Sequence, residues 1–214
     1  MKFDALLLDF GGVISRTLFE CHAEIEGYFG LRRGSLRWRG PLDPASDELW
    51  RALSEGKISD RDYWRDRAAA LGELVGRALE MSDLIGAACG ADPNLVVRPE
   101  AVRMVRKAKA AGQRVGVLSN DLERIYGRAT VLKLDILRDV DCVVDGSASG
   151  VRKPSPEAYA RGLAALGRPA ERTVFVDDQP ENVAAATASG MVGVSFDIRD
   201  PAHSFADMER LLGI

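Results

Sequence analysis

The residues with the most distinctive chemistry fall into four short groups that lie far apart in the sequence. They are one carboxylate, a serine followed by an asparagine, a lysine, and two adjacent carboxylates: Asp9, Ser119-Asn120, Lys153 and Asp177-Asp178. Each group alone also fits an ordinary turn or helix cap. Together, a carboxylate nucleophile, a hydroxyl, one cation and an acidic pair form a coherent set for phosphoryl transfer.

In this hypothesis, three of the groups act on the phosphate itself. Asp9 would attack phosphorus and form an aspartyl phosphate. Ser119, Asn120 and the free backbone amides at the start of the following helix would hold phosphate oxygens. Lys153 would neutralise the non-bridging oxygens and offset the repulsion between Asp9 and a dianionic substrate.

The acidic pair predicts a metal ion. Asp177 and Asp178 directly follow the apolar run Thr173–Val176, and two adjacent carboxylates after a buried strand are costly without a cation. Mg²⁺ prefers oxygen ligands, so we expect Asp178, assisted by Asp177, to bind Mg²⁺. Asn182 would orient the acidic pair or the helix start, and Asp145 is interpreted as a loop acid.

Short apolar strands must position these groups. The run Ala5–Leu8 shows no polar alternation, which is typical of a strand buried on both faces. Further strands are predicted at 114–118, 142–144, 173–176 and 192–195, with helical patterns between them. This alternation predicts an α/β fold, a parallel sheet with helices on both faces. The polar groups that follow neighbouring strands would then meet at one edge of the sheet.

A different pattern fills the chain between the first strand and the rest. Residues 17–90 carry helical patterns and no strand-like run, which indicates an inserted helical cap. We therefore predict a Rossmann-like core at 1–15 and 96–214 and a cap domain at 16–95. Inside the cap, the basic connection Arg32–Arg39 suits either an anionic substrate or a solvated face. His22 suits either substrate contact or an exposed helix position.

Four motifs make the chain resemble the haloacid dehalogenase superfamily, in the branch whose helical cap is inserted after the first strand. They are LLLDFGGVI, VGVLSND, RKPSPEAY and VFVDDQPENV, in that order along the chain. The resemblance implies a Rossmann-like sheet in the order 5-4-1-2-3 and a phosphatase-like hydrolase. It also implies Asp9 as nucleophile, with Ser119 and Lys153 on the phosphate. Mg²⁺ would be bound by Asp9, Asp178 and the backbone carbonyl of Gly11.

One position departs from the family pattern. Family phosphatases usually carry a second Asp two residues after the nucleophile, and here that residue is Gly11. The expected activity is a Mg²⁺-dependent phosphatase acting on a small phosphorylated metabolite, a sugar phosphate being one candidate. The first alternative is a phosphate-binding or regulatory protein with little turnover, supported by Gly11. The second is a dehalogenase, which the acidic pair argues against, because dehalogenases of the family lack it.

Composition restricts the partners and the compartment. The 214 residues include 29 Lys and Arg and 32 Asp and Glu, a formal net charge of −3, so no basic field favours nucleic acid. No apolar run approaches the roughly 20 residues of a membrane span. Three widely spaced cysteines without a C-x-x-C pair are typical of reduced thiols. We expect a cytoplasmic monomer or homodimer with a small-molecule phosphorylated substrate, no nucleic acid and no membrane.

Overall fold

The computed structural model describes residues 3–214, and its centre is a five-stranded parallel sheet. The strands are β1 (Ala5–Leu8), β2 (Arg114–Ser119), β3 (Cys142–Asp145), β4 (Thr173–Asp177) and β5 (Val192–Ser195). Their order is β3-β2-β1-β4-β5, and every neighbouring pair is parallel. The predicted α/β fold and the predicted strand order are thus confirmed.

The central strand, β1, fixes the edge at which the polar groups meet. Its four residues are fully buried, as expected for a parallel strand covered on both faces. Leu8 is paired with Val117 of β2 on one side and with Val176 of β4 on the other. Asp9, Ser119 and Asp177 therefore all lie at the carboxyl edge, within two residues of this register.

The chain from Thr17 to Val96 forms a compact unit of its own, called the helical unit below. It contains the helices α1 (His22–Tyr28), α2 (Glu48–Ser54), α3 (Asp60–Val75) and α4 (Met81–Cys89). Ser59 caps α3, in a reciprocal capping box with Asp62.

A buried carboxylate organises the polar contacts of the helical unit. Asp47 is 1% exposed and accepts hydrogen bonds from the backbone of Gly40 and Trp50, both at 2.9 Å. The hydroxyl of Tyr63 donates to it at 2.8 Å, and Arg67 pairs with it. These contacts join the basic connection to α2 and α3.

The rest of the chain forms the second unit, the sheet unit, in which helices surround the sheet. These are α5 (Pro99–Ala110), α6 (Leu122–Tyr126), α7 (Arg128–Val131), α8 (Ile136–Asp139), α9 (Gly146–Ser149), α10 (Pro156–Leu166), α11 (Pro180–Ala188) and α12 (Pro201–Leu212). None of the helices in the described part of the chain is long and apolar enough to cross a membrane.

The sequence patterns also predict a helix over 18–29, a helix that continues to about Leu132 and a loop over 146–150, and the structure differs at all three. The helix expected from Leu18 begins only at His22, because the Glu20 carboxylate accepts from the amide and hydroxyl of Thr17 and holds a turn there. The helix expected to continue to Leu132 is interrupted at Gly127, whose φ is 76°. The predicted loop 146–150 contains α9, a single helical turn.

Candidate active site

The turn after β1 brings a carboxylate and two glycines to the edge of the sheet. The Asp9 amide donates to the carbonyl of Val176 at 2.9 Å, which continues the strand pairing by one residue. Gly12 has a φ of 78°, and a Cβ there would lie 2.5 Å from Oδ2 of Asp178. Only glycine fits this position, because the backbone is left-handed and the Asp178 carboxylate packs directly against it.

Lys153 joins the predicted nucleophile to the acidic pair. Its Nζ lies 2.6 Å from Oδ1 of Asp9 and 2.7 Å from Oδ2 of Asp177. Lys153 is 5% exposed, so both ion pairs are shielded from water. Burial lowers the pKa of Lys153, but the two carboxylates more than offset this, and the pKa is raised overall. The side chain is therefore a fixed positive charge beside Asp9.

The hydrogen-bonding capacity of Asp177 is used within the protein. Oδ1 accepts from the amide of Gln179 at 2.9 Å, and the side-chain amide of Asn182 donates to both oxygens at 3.1 Å. Together with Lys153 these contacts leave Asp177 fully buried and surrounded by donors. The predicted orienting role of Asn182 thus corresponds to a direct contact with Asp177.

Asn120 contacts the backbone of Lys153 with both ends of its side-chain amide. The Lys153 amide donates to Oδ1 of Asn120 at 2.7 Å, and Nδ2 of Asn120 donates to the Lys153 carbonyl at 3.0 Å. These paired bonds fix the loop that carries Lys153 to the end of β2. Contact between Asn120 and phosphate stays a prediction, since this side chain already has two partners.

Two of the helix-start amides proposed for phosphate binding already have partners, and phosphate binding by the other amides after Ser119 stays a prediction. The amides of Leu122 and Glu123 donate to the two oxygens of Asp145 at 3.0 and 2.8 Å. Asp145 lies opposite Ser119 in the β2–β3 register, so a neighbouring strand supplies the cap. Ser119 itself ends β2 and is 8% exposed.

Arg98 is a site residue that the sequence did not reveal. It is 4% exposed, and its Nε and Nη2 donate to the carbonyl of Gly12 at 3.2 and 3.0 Å. Its backbone amide also donates to the carbonyl of Ile14 at 2.9 Å. Arg98 therefore holds the turn that carries Asp9 and Gly11. No local signal indicates this contact, since the partners are 86 residues apart.

Three carboxylates converge in a way that suits a divalent cation. One oxygen each from Asp9, Asp177 and Asp178 lies within 4.8 Å of the others. Among residues 3–214, Lys153 is the one ammonium group ion-paired to this cluster, through Asp9 and Asp177, so an excess of two negative charges remains when all three carboxylates are ionised. Because Asp177 is already satisfied, Asp9 and Asp178 are the side chains best placed to coordinate an ion. Oxygen ligands of this kind fit Mg²⁺.

The pKa values of the two candidate ligands reflect this crowding. Burial raises the pKa of Asp9 to about 6, with Lys153 lowering it and Asp177 raising it. Burial, followed by the charges of Asp9 and Asp177, raises the pKa of Asp178 to about 8. Keeping Asp9 and Asp178 ionised therefore costs free energy, and a bound cation would offset that cost.

Comparison with known proteins identifies the family. The family model described as haloacid dehalogenase-like hydrolase matches residues 3–190, so the chain belongs to that family of hydrolases. It is 27% identical to the sesquiterpene phosphatase astK of Aspergillus oryzae over 217 residues, 99% of this chain and 97% of that protein.

Two further proteins are similar to this chain, one over part of its sequence and one in its fold. A phosphoglycolate phosphatase of Rhodospirillum rubrum is 34% identical over 95 residues, 44% of this chain and only 39% of that protein. The crystal structure of a HAD phosphatase from Thermococcus onnurineus has a TM-score of 0.59 at 19% identity and covers 99% of this chain and 98% of that one. The structural similarity bears on the fold alone.

Proposed function

We propose that this protein is a Mg²⁺-dependent phosphatase that hydrolyses a small phosphorylated metabolite through an aspartyl phosphate on Asp9. The observation that carries the proposal is the buried Lys153 held between Asp9 and Asp177, with Asp178 in the same carboxylate cluster. A nucleophile, a fixed cation and an oxygen-rich cation site are the components that phosphoryl transfer requires.

In the first half of the proposed reaction, an Asp9 oxygen attacks phosphorus and forms an O–P bond while the ester P–O bond breaks. Lys153 holds the Asp9 carboxylate in place and stabilises charge on the phosphoryl oxygens. Ser119 donates its hydroxyl to one of those oxygens. Asp9, Asp178 and the Gly11 carbonyl would hold Mg²⁺, which when bound supplies positive charge beside the phosphate.

In the second half, water attacks phosphorus, the acyl phosphate is cleaved, and Asp9 and inorganic phosphate are released. The leaving group of the first half takes its proton from solvent, because position 11 offers no acid. Asp177 and Asn182 do not touch substrate in this scheme. Together with Asn120, whose contact with phosphate stays a prediction, they position Lys153 through the contacts described above.

The substrate class is proposed from the relatives and from the site. The relative that matches over nearly the whole chain is a sesquiterpene phosphatase, so sesquiterpenyl phosphates belong in the substrate panel beside sugar phosphates and phosphoglycolate. We retain the sequence-based expectation of a cytoplasmic protein. A phosphate-binding protein with little turnover is the second candidate, favoured only by the missing acid at Gly11.

A substrate panel with matched variants tests the proposal. Phosphate release should depend on Mg²⁺, stop reversibly with EDTA, and be abolished in Asp9→Asn, which keeps the shape but cannot attack phosphorus. Full activity without metal would exclude the proposed cofactor. Substrate binding without turnover across the whole panel would favour the second candidate.

A further inference from the structure

The buried side chain of Arg98 lies between the turn after β1 and the chain that follows β5. Its guanidinium donates to the Gly12 carbonyl in that turn, through the two hydrogen bonds described above. Cζ of the same group lies 5.6 Å from the centroid of the Phe196 ring, directly after β5. The Phe196 amide in turn donates to the carbonyl of Asp177 at 2.9 Å. Arg98 therefore joins the segment that follows Asp9 to a segment bonded to Asp177.

The turn after β1 needs such an anchor because it contains two adjacent glycines. Glycine loses more backbone freedom on folding than any other residue, and neither Gly11 nor Gly12 has a side chain that could hold the backbone in place. The Ser15 amide closes the ends of the turn on the Phe10 carbonyl at 2.8 Å. The Gly12 carbonyl, in the middle of the turn, is held by the guanidinium of Arg98. The conformation of the two glycines therefore depends on a residue 86 positions away.

The position of Gly12 also determines where the Asp178 carboxylate lies. Asp178 packs directly against Gly12 and leaves no room there for a Cβ. Lys153 is ion-paired to Asp9 and Asp177, whereas no lysine or arginine among residues 3–214 forms an ion pair with Asp178. The Asp178 side chain is thus placed by its packing against the turn rather than by an ion pair.

These contacts bear on two of the three ligands expected for Mg²⁺. The expected ligands are the carboxylates of Asp9 and Asp178 and the carbonyl of Gly11. The Gly11 carbonyl belongs to the peptide bond that links Gly11 to Gly12, and the Asp178 carboxylate packs against Gly12. A residue that fixes Gly12 therefore fixes two ligands at once. Groups that orient metal ligands without touching the metal typically change metal affinity by about 10–100-fold.

We propose that Arg98 is a positioning residue for the Mg²⁺ site, and that it acts by holding the Gly12 carbonyl. In this scheme the guanidinium touches neither the cation nor the substrate. The inference rests on the proposed function, because it requires that the carboxylate cluster binds Mg²⁺. Loss of the Arg98 hydrogen bonds should then lower the affinity for Mg²⁺, while the chemical step at saturating Mg²⁺ is retained.

Calorimetric titration of the full chain with Mg²⁺, in the absence of substrate, measures this affinity directly. Arg98→Met removes both donors and keeps an unbranched apolar side chain in the buried position. Arg98→Lys keeps the charge but loses the planar pair of donors. We expect the dissociation constant for Mg²⁺ to rise about tenfold or more in Arg98→Met, and by a smaller factor in Arg98→Lys. If Arg98→Met does not fold, Arg98→Lys retains the test.

Two control variants separate positioning from a general loss of charge or stability. Arg103→Met makes the same substitution at an exposed position of α5, and Leu166→Ala removes a fully buried side chain from the core of the sheet unit. Both should bind Mg²⁺ like the wild type. In phosphate-release assays, Arg98→Met should need about tenfold more Mg²⁺ for its half-maximal rate and should approach the wild-type kcat at saturating Mg²⁺.

The results distinguish a failure of the Arg98 role from a failure of the proposed function. Unchanged Mg²⁺ affinity in the folded Arg98 variants, or an equal loss in either control, would overturn the positioning role and leave the wild-type Mg²⁺ site standing. A wild type that binds no Mg²⁺ would overturn both. The titration decides the role of Arg98 even if no substrate in the panel is hydrolysed, because it needs no turnover.

Discussion

Replacing Gly11 by Asp tests how the protein manages without the usual second carboxylate. The structure permits the change: Gly11 has φ −69° and ψ 129°, which is extended backbone open to any residue. A Cβ at this position would have no atom within 4 Å. The neighbouring glycine differs, since a Cβ on Gly12 would collide with Asp178. We therefore expect Gly11→Asp to fold like the wild type and Gly12→Asp to be severely destabilised.

The expected effect is on leaving groups that need a proton. A positioned general acid contributes about 10²–10⁴-fold, and substrates with poor leaving groups depend on it most. In the native protein the leaving oxygen departs without such an acid, so its rate should fall steeply as the pKa of the leaving alcohol rises. Gly11→Asp should flatten that dependence and accelerate simple alkyl phosphates by up to about 10²-fold, the lower end of this range. Aryl and acyl phosphates should change little.

The assay is kcat/KM across a series of aryl, anomeric sugar and alkyl phosphates at saturating Mg²⁺, with folding checked by thermal melting. Gly11→Asn is the matched control, because it adds nearly the same volume without a transferable proton. An unchanged slope in a well-folded Gly11→Asp variant, or the same flattening in Gly11→Asn, would refute the reasoning. In either case the missing acid would not explain substrate choice.

Three further perturbations follow from the described contacts. Asn120→Ala removes two hydrogen bonds to the Lys153 backbone, worth ~1 kcal/mol each, so kcat/KM should fall about 30-fold. Asn120→Asp keeps only the acceptor, and its kcat/KM should lie between those of the wild type and Asn120→Ala. Full activity in Asn120→Ala would contradict a positioning role. Asp178→Asn in metal-free buffer should raise the free energy of unfolding at pH 7 by up to ~4 kcal/mol. The reason is that a carboxyl whose pKa is raised from 3.8 to about 8 destabilises the folded state increasingly as pH rises through that window. Denaturant melts with and without Mg²⁺ check this, and a metal-free variant less stable than the wild type would contradict it. The pKa of His22 is lowered from 6.5 to about 4, by burial first and then by Arg39 and Arg67, against Glu26 and Asp47. Protonation of His22 should therefore lower the free energy of unfolding by up to ~3 kcal/mol as pH falls through that window. Thermal melts of wild type and His22→Gln from pH 7 to 4 should diverge, and parallel curves would refute this.

Much of the architecture follows from local sequence patterns. Uninterrupted apolar runs predict the buried strands, and Gly or Pro beside helical patterns marks several helix ends. The strand order came from the resemblance, and the structure confirms it. The ends of helices are less predictable where a side chain binds the backbone nearby. The Glu20 carboxylate, for example, holds a turn at Thr17, and α1 begins only after it.

The contacts that support the site could not be predicted, because they join residues brought together only by the tertiary fold. Asn120 pairs with a backbone 33 residues away, and Asp145 caps a helix 23 residues earlier. Motif spacing identified Asp9 and Lys153 but gave no partners for them. The conformation of Gly11 was likewise undetermined, since glycine adopts both signs of φ.

Trapping the intermediate tests the central claim most directly. The full-length protein would be mixed with substrate and Mg²⁺, quenched in acid within one turnover, and digested for mass spectrometry. We expect a phosphorylated peptide with the phosphate on Asp9, absent from Asp9→Asn and from EDTA-treated samples. Turnover that leaves Asp9 unlabelled, or phosphate found on another residue such as Ser119, would contradict Asp9 as the nucleophile.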